Sequence, residues 1–228
     1  MNRGIFTWLS TLVLALLTGC ATPLPMALSD AAAPKADKVT VLMSTTLGND
    51  YKPRYQPNLL VVHWEKPDAK EKADRLNFQP DAKTSVPPAE GDTHKTYLLS
   101  FELDPGRHLL ASMTSQAMAF PFVGMFSTPL MQDMSFDRPG VYYIGHVQAT
   151  VKERKEDHEL RAGSVIPLID QAAVGASGGT FDIRIEDRWS ADEGKFKAAY
   201  PVLDKAEIAK RLLAPHDPPA VLKLVEAR

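Results

Sequence analysis

The apolar positions of the chain change their spacing several times. Ile5 to Leu17 is an uncharged, mostly apolar run preceded by Arg3. From Lys38 onward the pattern becomes short β-branched and aromatic runs divided by polar, proline-bearing stretches. Val39–Met43 and Leu59–Trp64 are apolar almost throughout, which predicts strands. Thr96–Leu103 (TYLLSFEL) and Arg107–Met113 (RHLLASM) flank Asp104-Pro105-Gly106, so the pattern predicts a β-hairpin closed by a Pro-Gly turn. A second such boundary, Arg138-Pro139-Gly140, opens the long β-prone run Val141–Val151. Thr180–Glu186 alternates Phe181, Ile183 and Ile185 against Asp182, Arg184 and Glu186, the pattern of a strand with one wet face. Nearer the C-terminus, Val165–Val174, Glu193–Tyr200 and Lys205–Leu213 read as short helices, and Ala220–Val225 fits either helix or strand.

Short strands with turn signals at this spacing predict a mainly β fold, an antiparallel β-sandwich with short C-terminal helices. The body spans 38–190 and a helical extension spans 191–228. Composition agrees: 44% hydrophobic and 24% charged residues suit a globular domain, and 18 prolines against 13 glycines favour turns and strand ends over long helices. Ala21–Asp37 (ATPLPMALSDAAAPKAD) has few large apolar side chains. It predicts a flexible tether, with a coil reach of about 20 to 25 Å. The formal net charge of -2 removes any global attraction to nucleic acid, and no cofactor is expected. A single cysteine excludes an internal disulfide and a multi-cysteine zinc site.

The N-terminal run decides where the chain is sent. Its roughly 13 residues would cover about 20 Å as a helix, short of the ~30 Å hydrocarbon core, so a secretory signal fits better than a membrane span. Leu17-Thr18-Gly19-Cys20 follows it directly. This tetrad resembles the lipobox of bacterial lipoproteins. The resemblance implies a signal peptide over 1–19, cleavage between Gly19 and Cys20, and acyl chains on Cys20, which begins the 20–37 tether. Several chains together hold a protein on a bilayer far more firmly than one. Ala21 rather than aspartate after the cysteine implies sorting to the outer membrane, on its periplasmic side, with the inner membrane as the alternative.

The body carries a second resemblance. The segments DPGRHLL and RPGVYYIGHV, with ATVKERK, RAGSVIPLIDQA and GASGGTFDIRIEDR further on, resemble uncharacterised Gram-negative lipoproteins with a small β-sandwich domain. That likeness implies fold and location and assigns no activity.

Candidate chemistry is sparse. Gly175-Ala176-Ser177-Gly178-Gly179 matches G-x-S-x-G, but a nucleophile elbow needs a strand before the serine and a helix after it, and here the order is reversed. His63, His108 and His146 each fall on a predicted strand, where a sandwich could bring them together as metal ligands, although packing or solvent contact is the simpler reading. Lys152–Glu159 reads as a solvated hairpin end, and Asp182, Glu186 and Asp187 beside Arg184 and Arg188 as a salt-linked strand face. Ala117–Phe126, with MAFPFVGMF at its centre, reads as a buried crossover; the alternative is an exposed apolar loop that contacts lipid or a partner.

The expectation is therefore a lipid-anchored, non-enzymatic binding or scaffolding module with an envelope protein as partner. A small-molecule or metal carrier using the strand histidines, and a serine hydrolase using Ser177, are the alternatives. Replacing Cys20→Ser is expected to abolish incorporation of radiolabelled fatty acid and to leave the precursor uncleaved or the protein unanchored. A Ser variant that still takes up label would remove the assignment.

Overall fold

The computed structural model describes residues 23–29, 33–67, 69–71, 74–165 and 171–228. Gly19 and Cys20, and the first residues of the tether, lie outside them. The strands are β1 (Val39–Asn49), β2 (Asn58–Glu65), β3 (Arg75–Phe78), β4 (Ser85–Val86), β5 (Lys95–Leu103), β6 (Gly106–Ala119), β7 (Phe122–Phe136), β8 (Gly140–Glu153), β9 (Gly179–Glu186) and β10 (Ile208–Lys210). Helix α1 spans Trp189–Ala199 and α2 spans Pro218–Glu226.

Two sheets stack as the predicted sandwich. One is the antiparallel sheet β3-β2-β6-β7. The other has the order β10-β8-β1-β5-β4, with β9 also paired to β8. This second sheet is mixed, because β8 runs parallel to β1 and β10 while the β1–β5, β4–β5 and β8–β9 pairs are antiparallel. The first Pro-Gly boundary is not the expected hairpin turn, and the second, which opens β8 as expected, has the same role as the first. Asp104-Pro105 links β5 in the mixed sheet to β6 in the antiparallel one, and Asp137-Arg138-Pro139 carries β7 back to β8. These turns are corners, so Phe101 and Leu110 meet across the interior from opposite sheets rather than side by side. The long hairpin is β6–β7, paired down to Ala119 opposite Phe122.

Burial follows position. β7 alternates buried and exposed residues because one face is wet. Residues 39–45 of β1 are all buried, because its inner face meets the other sheet and its outer face lies beneath α1. At the centre Phe101 packs against Trp64 and Phe78, with ring centroids 5.5 and 5.2 Å apart.

The expected free tether is docked along residues 24–28. Leu24 pairs with β3, its N–H donating to Asn77 O and its carbonyl accepting from Gln79 N (2.7 and 2.9 Å). Ala27 N then donates to Ser100 O on the open edge of β5 (2.8 Å), and Met26 and Leu28 are buried. Two apolar side chains and unpaired strand edges are enough to hold a segment whose average composition looks like a linker. Other expectations are adjusted as well. Lys205–Leu213 forms no α-helix; a 3₁₀ turn over Pro201–Lys205 precedes β10, and Arg211 N and Leu213 N continue the pairing onto Tyr143 O and Ile144 O. Of the expected Val165–Val174 helix, residues 166–170 lie outside the described set and 171–174 are turns. Ala220–Val225 is helical, as part of α2 with Asp217 as its N-cap.

Phe101→Ala should cost about 3 to 5 kcal/mol by leaving a cavity between the sheets. Glu102→Ala loses only an exposed ion pair with Lys35 and should cost under ~1 kcal/mol. Chemical denaturation of the two variants checks this, and similar small losses at both positions would contradict the interior placement of Phe101.

Candidate functional site

Two constellations stand out, one buried under α1 and one open between the sheet edges. The first begins with a β-bulge. Tyr143 pairs with Leu42 and His146 with Ser44, so β8 has one residue more than β1 across this step. Gly145 absorbs the irregularity at φ +117, a conformation that disfavours a side chain. The bulge turns His146 to the same outer face as Tyr143 and Ser44, where Asp192 in the first turn of α1 meets them.

The bonding order there fixes the protons. Ser44 Oγ donates to Asp192 Oδ2 (2.5 Å), and Tyr143 Oη donates to the same oxygen (2.7 Å). With the serine proton used, the 2.8 Å contact between Ser44 Oγ and His146 must run from Nδ1–H to Oγ. Nε2 is then bare and accepts from Arg188 Nη1 (3.2 Å). Arg188 and Asp192 are thereby joined through a neutral imidazole and a hydroxyl. Burial first, then the Arg188 charge, pushes His146 down to about 4, while Asp192 opposes and Lys195 adds to the shift. Burial and the Asp192 carboxylate push the Tyr143 hydroxyl well up.

Serine, histidine and aspartate are all present, yet their order is wrong for nucleophilic catalysis. A catalytic histidine accepts the serine proton and donates to the carboxylate. Here histidine donates to serine, serine donates to aspartate, and all three are at most 2% exposed. The cluster fastens α1 to β1 and β8.

The residues singled out from the sequence lie elsewhere. Ser177 ends a run of turns and leads into β9, and its carbonyl accepts from Arg161 Nη1 (2.6 Å). Among the described residues no histidine bonds to it. The strand histidines are not brought together. His63 is on the outer face of the antiparallel sheet, between Asn77 (2.7 Å) and Thr114 (2.8 Å), whereas His146 is on the outer face of the mixed sheet. His108 lies at the β5–β6 corner and donates from Nε2 to Asp104 O (2.7 Å). Ser44 and Asp192 were missed because each is unremarkable in its own segment. The lone glycine within a strand, Gly145, was the available signal for a re-aimed neighbour.

The second constellation is a groove. The free edge of β9 and the β7 edge leave an opening that α2 and the 153–161 loop enclose, giving a cavity of about 700 Å³. Leu160, Phe181, Ile183, Val221 and Leu222 make its apolar lining. His216, just before α2, also lines the groove, but its Nδ1 is buried away from the open space and, among the described residues, has no hydrogen-bond partner. Burial pushes its pKa down against the opposing Asp217 and Asp182, so the ring is held neutral. Lys152, Arg161 and Lys223 stand at the rim among Glu153, Glu159 and Glu226. The expected solvated hairpin end at Lys152–Glu159 is in fact one wall, its fold set by Arg154 Nε donating to Glu159 O (2.8 Å) and by the Glu159 carboxylate accepting from Lys155 N and Glu156 N.

The buried cluster generates a pH prediction. His146 has a folded pKa below its unfolded value near 6.5, so the neutral ring's stability is complete above pH 6.5 and is lost as pH falls through 4. The loss should approach about 3 kcal/mol. Denaturant midpoints at pH 7 and pH 4.5 would show it, and His146→Gln should flatten that interval. An unchanged slope in the variant would mean that other groups carry the acid sensitivity.

No protein-family model, no curated protein and no solved structure matches this chain.

Proposed function

We propose that the chain is a lipid-anchored envelope lipoprotein whose sandwich is a non-enzymatic binding module, with the groove between β7 and β9 as its binding site. The ligand class that suits it is an amphipathic molecule with an apolar body and a polar end left at the charged rim. The observation that carries the reading is the groove itself: a volume in the range of small-molecule sites, an apolar lining and a charged rim. The rim mixes Lys152, Arg161 and Lys223 with Glu153, Glu159, Asp182 and Glu226, so it presents both signs of charge to a ligand's polar end.

The anchor rests on the lipobox-like tetrad alone. Among the described residues no helix is long and apolar enough to cross a membrane. If Cys20 is acylated, the docked strap changes what the anchor does. Leu24 is fixed on β3, and four residues span at most about 14 Å, so the body is held close to the lipid rather than on a long leash.

Binding of a dansylated fatty acid tests the groove. Saturable, one-to-one fluorescence enhancement is expected. Leu222→Trp, which fills the cavity from a half-buried position, should abolish it. Absence of saturable binding, or binding untouched by Leu222→Trp, would sink the proposal.

A further inference from the structure

The β6–β7 tip is unlike the rest of the surface. Met118, Phe120, Phe122, Val123 and Met125 are all exposed large apolar side chains there, Phe120 at 94% and Met118 at 68%. Such a contiguous patch on a folded domain marks an interaction surface. The segment is therefore not a buried crossover but, as in the alternative reading, an exposed apolar turn, at the tip of a projecting hairpin.

We propose that this tip enters the surface of an anionic lipid bilayer. Its backbone suits that medium, since the strand pairing continues to Ala119 opposite Phe122 and leaves only the turn without ladder bonds. Its root is braced: Met125 N donates to Gln171 Oε1 (2.8 Å), and Gln171 Nε2 donates to Ser164 O (2.9 Å). Ala117 and Ala119, below the tip, share one buried cluster with Ala162, and Tyr51 and Tyr55 pack against it. The loops around that root carry cations. Lys52 Nζ lies 4.8 Å from the Tyr51 ring centroid, Arg54 lies 6.0 Å from that of Tyr55, and Arg161 adjoins Ala162. Tyrosines and cations behind an apolar point match a headgroup layer above hydrocarbon. The nearby acidic side chain Asp50 is paired with Lys152 and hydrogen-bonded to His94 Nε2 (3.0 Å). A protein partner fits less well, because a stable interface needs about 800 Å² from each side and a narrow convex tip offers one turn of chain. The inference does not depend on the groove or on acylation of Cys20.

The test uses the full chain with Cys20→Ser and a nitrobenzoxadiazole dye on Phe120→Cys. The N-terminal apolar run is the same in every variant, so the dye reports the tip alone. With vesicles of phosphatidylcholine and phosphatidylglycerol its emission should shift to the blue and be quenched by brominated acyl chains. Dye on Asp137→Cys, at the opposite end of the sandwich, should not respond. Adding Lys52→Glu and Arg54→Glu should lower the ratio of inserted to free tip about tenfold. A tip dye that keeps its aqueous emission on these vesicles overturns the proposal. So does a blue shift that grows with protein concentration without lipid, which would identify a second copy as the occupant.

Discussion

Stacking two sheets buries their facing surfaces but leaves two open sides, where strand edges and core side chains would meet water, and the chain outside the strands is arranged around that exposure. On the β3 and β5 side the strap at Leu24–Leu28 gives one residue to the β3 edge and two N–H groups to Ser100, from Ala27 to its carbonyl and from Leu28 to its hydroxyl; Met26 seals the gap between the sheets and Leu28 packs into the cluster under α1. On the β7 and β9 side the segment after β10 crosses from the mixed sheet, where Leu213 N donates to Ile144 O, to β7, where Ala214 N donates to Gln132 Oε1. Helix α2 then covers the opening only partly, and Arg228 reaches Glu65 on β2. One side is closed by direct edge pairing and the other by a helix held off the edge. The groove is the consequence of that difference.

The sandwich was legible because its strands announce themselves one at a time. The alternation of Phe181, Ile183 and Ile185 and the β-branched run of β1 depend only on which faces are buried, and that is written locally. Which strands pair is a different matter. Asp104-Pro105-Gly106 has the same turn chemistry whether it joins neighbours in one sheet or turns a corner to the other, so the sequence could not separate them. The tether was misread because composition averages over a segment, whereas docking needs only Met26, Leu28 and the edges they meet. The tip was misread for the reverse reason: phenylalanine and methionine predict burial on average, and nothing local says that a hairpin will carry them past the end of the core.

Helix α1 shows how little apolar surface is needed when a polar contact fixes the geometry. Its fully buried apolar side chain is Phe196, set against Tyr143, with Trp189 packed beside them. Register is supplied by Asp192, whose carboxylate takes protons from Ser44 on β1 and Tyr143 on β8. A carboxylate in that position is stabilising only while both hydroxyls and the distant Arg188 remain in place, since an unpaired buried charge costs more than the pair gains. Hence the Gly145 bulge matters beyond its own turn. Were β8 to run on as a regular strand, His146, three positions after Tyr143, would point inward, the link from Arg188 to Ser44 would break, and the carboxylate would lose its screened counter-charge. The cluster resembles a catalytic set in composition while its proton order makes it a fastening.

The three surface features lie apart in a way that bears on how the molecule would sit. Leu24 leaves the body at the β3 edge, level with Phe78 and, through Val62, with Met113 in the strand register. The tip lies several residues farther along β6, beyond Ala119. The groove opens on the opposite side of the sandwich, at the β7 and β9 edges. At about 3.4 Å per residue the six steps from Met113 to Ala119 cover about 20 Å, which is more than the four residues from Cys20 to Leu24 can span. A body held by both an acylated Cys20 and the tip therefore cannot stand upright on its end. It must lean, with the β3 edge brought toward the lipid and the groove on the side turned away from it, where a ligand can enter from the aqueous phase.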